Sequence, residues 1–135
     1  MKTVFVDANV FVRFFAADDT DHQALATELF RKAASGKVSL VTGPPVLFEI
    51  AWTLRSAYGQ SPEKILTVLE VIASLPGLRL LDLNLVEQAI ALARRSGQEF
   101  ADAYIAVSAQ RAGAAEIATF NQKHFQEMDA SLFRF

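Results

Sequence analysis

Short apolar runs alternate along this chain with longer segments of helical periodicity, and that alternation is what most restricts its fold. Residues 3–6, 38–42, 78–81 and 116–119 are rich in β-branched or leucine side chains and are bounded by turn or capping residues, so each is expected as a buried strand. Residues 132–135 form a fifth candidate. The intervening stretches carry helix punctuation. One helix is expected from about His22 to Ala34, with Asp21 as N-cap and Gly36 beyond it. Another opens at Pro44-Pro45 and closes near Gly59, and a third runs from Ser61-Pro62 to Leu75-Pro76-Gly77. Asn84 and Glu87 have the spacing of a capping box for a helix ending at Gly97, and the last long helix spans about Phe100 to Ala112 before Gly113. Strands alternating with helices predict an α/β fold, with a mostly parallel central sheet of four to five strands and helices on both faces. In such sheets functional groups collect beyond the carboxyl ends of the strands, near the point where strand order reverses.

At 135 residues, with no repeat and no Ser/Gly/Pro-rich linker, the chain is expected to form one domain over residues 1–135. Hydrophobic residues make up 52% of it, enough for a substantial core. Lys and Arg number 13 against 15 Asp and Glu, a net of −2, which excludes a protein that coats nucleic acid by bulk positive charge. A local basic rim remains compatible with that balance. The absence of cysteine excludes disulfides, thiol catalysis and Cys-based zinc sites. Asp7 interrupts the first apolar run too early for a signal peptide, and no window reaches the length of a membrane span. A cytoplasmic protein without membrane contact is expected.

Several carboxylates lie where a carboxylate needs a reason. Asp7 directly follows the first expected strand, where it serves either as a helix cap or as a metal ligand at a strand's carboxyl edge. Glu49 sits beside the apolar stripe Leu47, Ile50, Ala51, Leu54 and Tyr58 and is flanked by Phe48 and Trp52, so it either reaches solvent or meets a cation. Asp102 falls in the first turn of an otherwise apolar helix, where the helix dipole favours an acid. Glu99, three residues earlier, points the same way, and two converging acids are costly unless a cation compensates. Asn121 follows the fourth expected strand and offers a neutral oxygen, either to a turn or to a ligand. Asp82 also ends a strand but precedes Asn84, and is assigned to helix capping.

Taken together, Asp7-Ala8-Asn9, Glu49 followed by Trp52-Thr53-Leu54, Phe100-Ala101-Asp102-Ala103 and Thr119-Phe120-Asn121 resemble the PIN-domain ribonuclease family, in particular its VapC-type toxins of toxin–antitoxin pairs. The resemblance covers essentially the whole chain, in order. It implies that the first strand is central, that the strand before Asn121 lies next to it, and that Asp7, Glu49, Asp102 and Asn121 come together as the catalytic set. It further implies a metal-dependent endoribonuclease that cleaves RNA with Mg²⁺ or Mn²⁺ held by Asp7, Asp102 and Glu49, supported by Glu99. Asn121 departs from the family, which commonly has Asp there, and removes one negative charge from the metal site.

Asn9 and Thr119 are expected to position substrate, and Arg13, Arg55 and Lys123 are candidates for a local basic rim, each a few residues beyond a motif residue. Phe11, Phe14 and Phe15 crowd one short helix, and Phe48 and Trp52 lie beside the stripe of another; these five are candidates for a partner interface. The resemblance implies a homodimer and a cognate antitoxin protein seated in an apolar groove near the acids. Two unrelated readings of Asp7 fail on the sequence. A haloacid-dehalogenase-type phosphatase needs a second Asp where Asn9 stands, and a receiver domain needs an acidic pair that is missing. The surviving alternative is a catalytically weak PIN-like module that binds RNA or a protein without cutting, favoured by Asn121 alone.

Overall fold

The computed structural model describes all 135 residues, Met1–Phe135. They fall into two compact units, Met1–Leu83 and Asn84–Phe135.

The first unit is built on three strands, β1 (Thr3–Phe5), β2 (Ser39–Thr42) and β3 (Leu78–Leu80). They pair in parallel in the order β1-β2-β3, with Val4 opposite Leu40 and Leu40 opposite Leu78. Parallel neighbours need a crossover between them. Here α1 (Ala8–Phe15) and α2 (Thr20–Ala34) supply the first, and α3 (Pro44–Ser56) and α4 (Pro62–Ala73) the second. The helix starts follow local chemistry. Asp19 accepts from the amide of His22 at 3.0 Å and Ser61 from that of Lys64 at 3.2 Å, and prolines occupy the first turn of α3 and α4. Because Asp19 rather than Asp21 is the cap, α2 begins two residues before the expected start. Leu40, Leu47, Ile50, Leu54, Leu69 and Ile72 are fully buried. Gly77, at φ +79, enters β3 against the end of α2: a Cβ there would stand 2.3 Å from the carbonyl oxygen of Ala33.

The second unit carries three helices, α5 (Leu83–Ser96, starting at the boundary), α6 (Phe100–Arg111) and α7 (Gln122–Gln126). Val86, Ala89, Ile90, Ala93, Phe100, Ala103, Val107, Phe125 and Met128 are its buried apolar residues. No helix of the chain is long and apolar enough to cross a membrane.

The sheet corrects the sequence expectation in two respects. It has three strands rather than four to five, and β1 lies at its edge rather than its centre. Residues 116–119 and 132–135 contribute only a single parallel bridge, Ile117 to Leu132, held by Ile117 N to Ser131 O at 2.8 Å and Phe133 N to Ile117 O at 2.9 Å. The reason is burial: Glu116, Ala118 and Phe120 are exposed and no side chain in the run is fully buried, so nothing extends the ladder beyond one rung. The capping box at Asn84 is likewise not formed. Asn84 lies inside α5 and its Oδ1 accepts from Gln88 Nε2 at 2.8 Å, while Asp82 turns the chain out of β3 with a left-handed backbone, φ +54.

Candidate active site

In the first unit, the backbone ahead of Asp7 is held by β2 from both directions. Val6 donates its amide to Val41 O at 2.8 Å, and the hydroxyl of Thr42 donates to Val6 O at 2.9 Å. Thr42 is the one polar residue of the chain that is fully buried, 0% exposed. Asp7 then caps α1, its Oδ1 accepting from Ala8 N at 2.8 Å. That is the only hydrogen bond of its carboxylate, so both expected roles remain compatible: the cap uses one oxygen and leaves the other to solvent.

Glu49 projects from α3, whose opposite side buries Val46, Leu47, Ile50 and Leu54. It is exposed and has no hydrogen-bond or ion-pair partner. Three residues on, Trp52 is 70% exposed, while Phe48 is half-buried and Arg55 exposed. The α1 aromatics divide differently from the expectation. Phe11 is fully buried and stacks on Phe30 with centroids 5.4 Å apart, so it belongs to the core and not to a partner interface. Phe14 and Phe15 are half-buried, Phe14 edge-on to Phe30 at 4.8 Å. Adjacent helical positions point in different directions, and neither Phe14 nor Phe15 is fully covered.

Arg13 is taken up locally. Its Nη1 pairs with Asp18 at 3.2 Å, and Asp18 also accepts from the hydroxyl of Tyr58 at 2.7 Å. The Tyr58 hydrogen bond, with the aspartate's own backbone and Arg13 behind it, holds the Asp18 carboxyl below its ordinary value; the same bond pushes the Tyr58 phenol up. A guanidinium so engaged is a poor free anchor for phosphate. Asn9 is exposed on the first turn of α1, beside a groove formed with Val10, Arg13, His22, Leu25 and Leu29.

In the second unit, Asp102 stands in the first turn of α6 and Glu99 is the residue that precedes it as N-cap. Asp102 Oδ2 lies 3.2 Å from Nδ1 of His124, and that same Nδ1 lies 3.0 Å from Nδ2 of Asn121. Asn121 is placed in turn by Thr119, whose Oγ1 accepts from its backbone amide at 3.0 Å. Thr119, half-buried, therefore orients the chain at Asn121. His124 is the residue that sequence reasoning missed; its only signal was a position three residues after Asn121, within one helical turn. Lys123 is exposed with no partner. Phe120, 90% exposed, stacks on Phe135 at 4.7 Å.

Within neither unit do three or more His, Asp and Glu side chains form a group that could hold a metal ion. The donor chemistry nevertheless suits a hard divalent cation. Asp7 has one unspent carboxylate oxygen and Glu49 has two, and Asp102 is shared only with an imidazole. Mg²⁺ and Mn²⁺ bind through one or two such carboxylates and keep several waters. Compared with known families, the chain matches the family model described as the PIN domain over residues 4–131. Comparison with curated proteins gives no match.

Proposed function

The chain belongs to the PIN domain family, a nuclease-type fold, and from that membership we propose that it is a Mg²⁺- or Mn²⁺-dependent endoribonuclease, the toxin of a type II toxin–antitoxin pair of the VapC kind. The observation that carries this reading is the state of Asp7 and Glu49. Both are exposed, Asp7 with one oxygen on the Ala8 amide and Glu49 with no partner, and neither is neutralised by a cationic side chain, so both are open to a cation from solvent. The match spans both compact units, which supports treating residues 1–135 as one functional domain.

In this reading Asp7, Glu49 and Asp102 hold the cation, Glu99 adds negative charge, and Asn121 contributes an amide. A bound divalent cation supplies positive charge to the scissile phosphodiester and makes a water more acidic. The protein's own part is to fix the carboxylates and admit the RNA backbone. The cap at Ala8 fixes Asp7, and Lys123 and Arg55 are the basic side chains proposed to contact phosphate, with Asn9 proposed as a further contact to the substrate. The products are a 5′-phosphate and a 3′-hydroxyl. A cytoplasmic homodimer, silenced by a separately encoded antitoxin that covers Trp52, Phe48, Phe14 and Phe15, completes the proposal; the 70% exposure of Trp52 supports it.

Cleavage of a structured RNA in the presence of Mg²⁺ or Mn²⁺, abolished by EDTA and by Asp7→Asn, is the expected result. Cleavage that survives either treatment overturns the reading. The non-cutting alternative is favoured by one observation, the hydrogen bond of the Asn121 amide to His124 where a carboxylate would carry charge. It expects RNA binding without any metal-dependent cleavage.

A further inference from the structure

Near the end of the second unit three phenylalanine rings are ordered against one another and left in water. Phe120 is 90% exposed, Phe135 69%, and Phe133 is exposed as well. The backbone sets their arrangement. The parallel bridge joins Ile117 to Leu132, so three residues further along each segment Phe120 comes opposite Phe135. Phe133 and Phe135, two apart, have the spacing that puts side chains on one side of an extended segment. The rings meet accordingly. Phe120 and Phe135 stack with centroids 4.7 Å apart and planes 17° from parallel, and Phe133 stands edge-on to Phe135 at 5.4 Å. Only one face of Phe120 lies on Phe135, and its 90% exposure leaves the other face open.

A bare ring of this kind marks a contact site, and its surroundings decide for what. Thr119, Asn121, Gln122 and Arg134, its neighbours along the two segments, are polar, so the apolar area is confined to the rings and lacks the breadth of a protein–protein interface core. Lys123 and Arg134 are exposed and paired with no acid, which suits a polyanion. With 13 basic residues against 15 acidic ones, phosphate contacts alone give the chain little hold on RNA, whereas base stacking needs no net charge. The position matters too. Phe120 is bonded directly to Asn121, whose amide lies 3.0 Å from His124, itself 3.2 Å from the Asp102 carboxylate.

We propose that Phe120, backed by Phe135 and Phe133, is a stacking platform for an unpaired RNA base, with Lys123 and Arg134 holding the adjoining phosphates. The inference rests on the RNA-cleaving reading and deepens it by naming the substrate. A paired base hides its faces within the helix, so only a single-stranded nucleotide reaches the ring. Because the platform directly precedes Asn121, the stacked base belongs to a nucleotide at or beside the scissile phosphate, and cleavage falls in loops and unpaired stretches.

Fluorescence anisotropy with a fluorescein-labelled single-stranded RNA tests the platform, in EDTA so that nothing is cut. Phe120→Leu keeps an apolar side chain and removes the ring, at a position exposed enough to leave folding undisturbed. Its affinity is expected to fall about fivefold to a hundredfold, the range for one base–aromatic stack, with the same ratio at low and high salt. Phe120→Trp is expected to retain binding, and a duplex of the same sequence to bind wild type and Phe120→Leu equally. On the wild-type chain with Mg²⁺ or Mn²⁺, a single abasic residue moved along the strand is expected to suppress cleavage only when it falls at or beside the cut. Equal binding of single-stranded RNA by wild type and Phe120→Leu overturns the platform; if EDTA-sensitive, Asp7-dependent cleavage persists, the nuclease reading stands. A fall in sedimentation mass in Phe120→Leu with RNA affinity unchanged overturns it too, and makes the rings a contact between copies of the chain. Weakened binding in Phe120→Leu, with no metal-dependent cleavage by wild type, upholds the platform and overturns the nuclease reading.

Discussion

The hydroxyl of Tyr58 donates to the carboxylate of Asp18 over 2.7 Å, joining residues 40 apart in sequence, while Arg13 grips the same carboxylate at 3.2 Å. This contact ties the chain beyond α3 to the turn that follows α1. Asp18 titrates below its ordinary value and Tyr58 above it, with their mutual hydrogen bond the first cause of each shift. The Asp18 contribution to stability is therefore complete above the unfolded-state carboxyl pKa, near 4, and is lost as pH falls through the lower folded value. The Tyr58 contribution is complete below about pH 10 and is lost as pH rises through the higher folded value. Tyr58→Phe is expected to raise the Asp18 pKa toward the ordinary range, read by carboxyl NMR titration. The Tm difference from wild type should be constant at intermediate pH and shrink at both extremes.

Asp7 has two roles that can be separated. Asparagine caps a helix about as well as aspartate, whereas alanine costs about 0.5–2 kcal/mol. Asp7→Asn is thus expected to leave the denaturation midpoint nearly unchanged while RNA cleavage falls by at least tenfold to a hundredfold, roughly the loss seen when a metal site is disturbed. Asp7→Ala should lose both. Glu49→Gln, which touches no partner, is expected to cost activity without stability.

Asn121→Asp replaces an amide oxygen with a charged one. Divalent-cation binding is expected to tighten, since carboxylates hold hard cations better than amide carbonyls do. Equal affinities by calorimetry would count against any contact between residue 121 and the cation.

Thr42→Val keeps the shape of the side chain and deletes its hydroxyl. The carbonyl of Val6 then loses its hydrogen bond from Thr42 in a buried setting, at a cost of about 1–3 kcal/mol. Chemical denaturation should show that loss, and cleavage should fall as well, because Val6 is the residue that delivers Asp7. A fall in stability with cleavage untouched would separate Thr42 from the site.

Local signals were the legible part of this chain. Proline and serine starts placed α3 and α4 correctly, and the apolar spacing of Leu47, Ile50 and Leu54 identified the buried side of the Glu49 helix. Errors arose where two neighbouring residues compete for one task. Asp19 and Asp21 are equally good caps on paper, and only the bond to His22 N decides between them. Asn84 and Glu87 had the spacing of a cap and became part of the helix. Residues 116–119 had strand-like composition, but sheet extension depends on burial by distant residues, which composition does not carry. His124 escaped notice because its partner Asp102 is 22 residues away and no periodicity links them.

Trp52 is the sole tryptophan of the chain and is 70% exposed, three residues beyond Glu49 on α3. The protein thus carries its own optical reporter at a single known position. Its fluorescence emission starts at the long wavelengths of an indole in water, so anything that settles over this side of α3, whether a second copy, an inhibitor or a strand of RNA, would shift the colour of the light without any label being added.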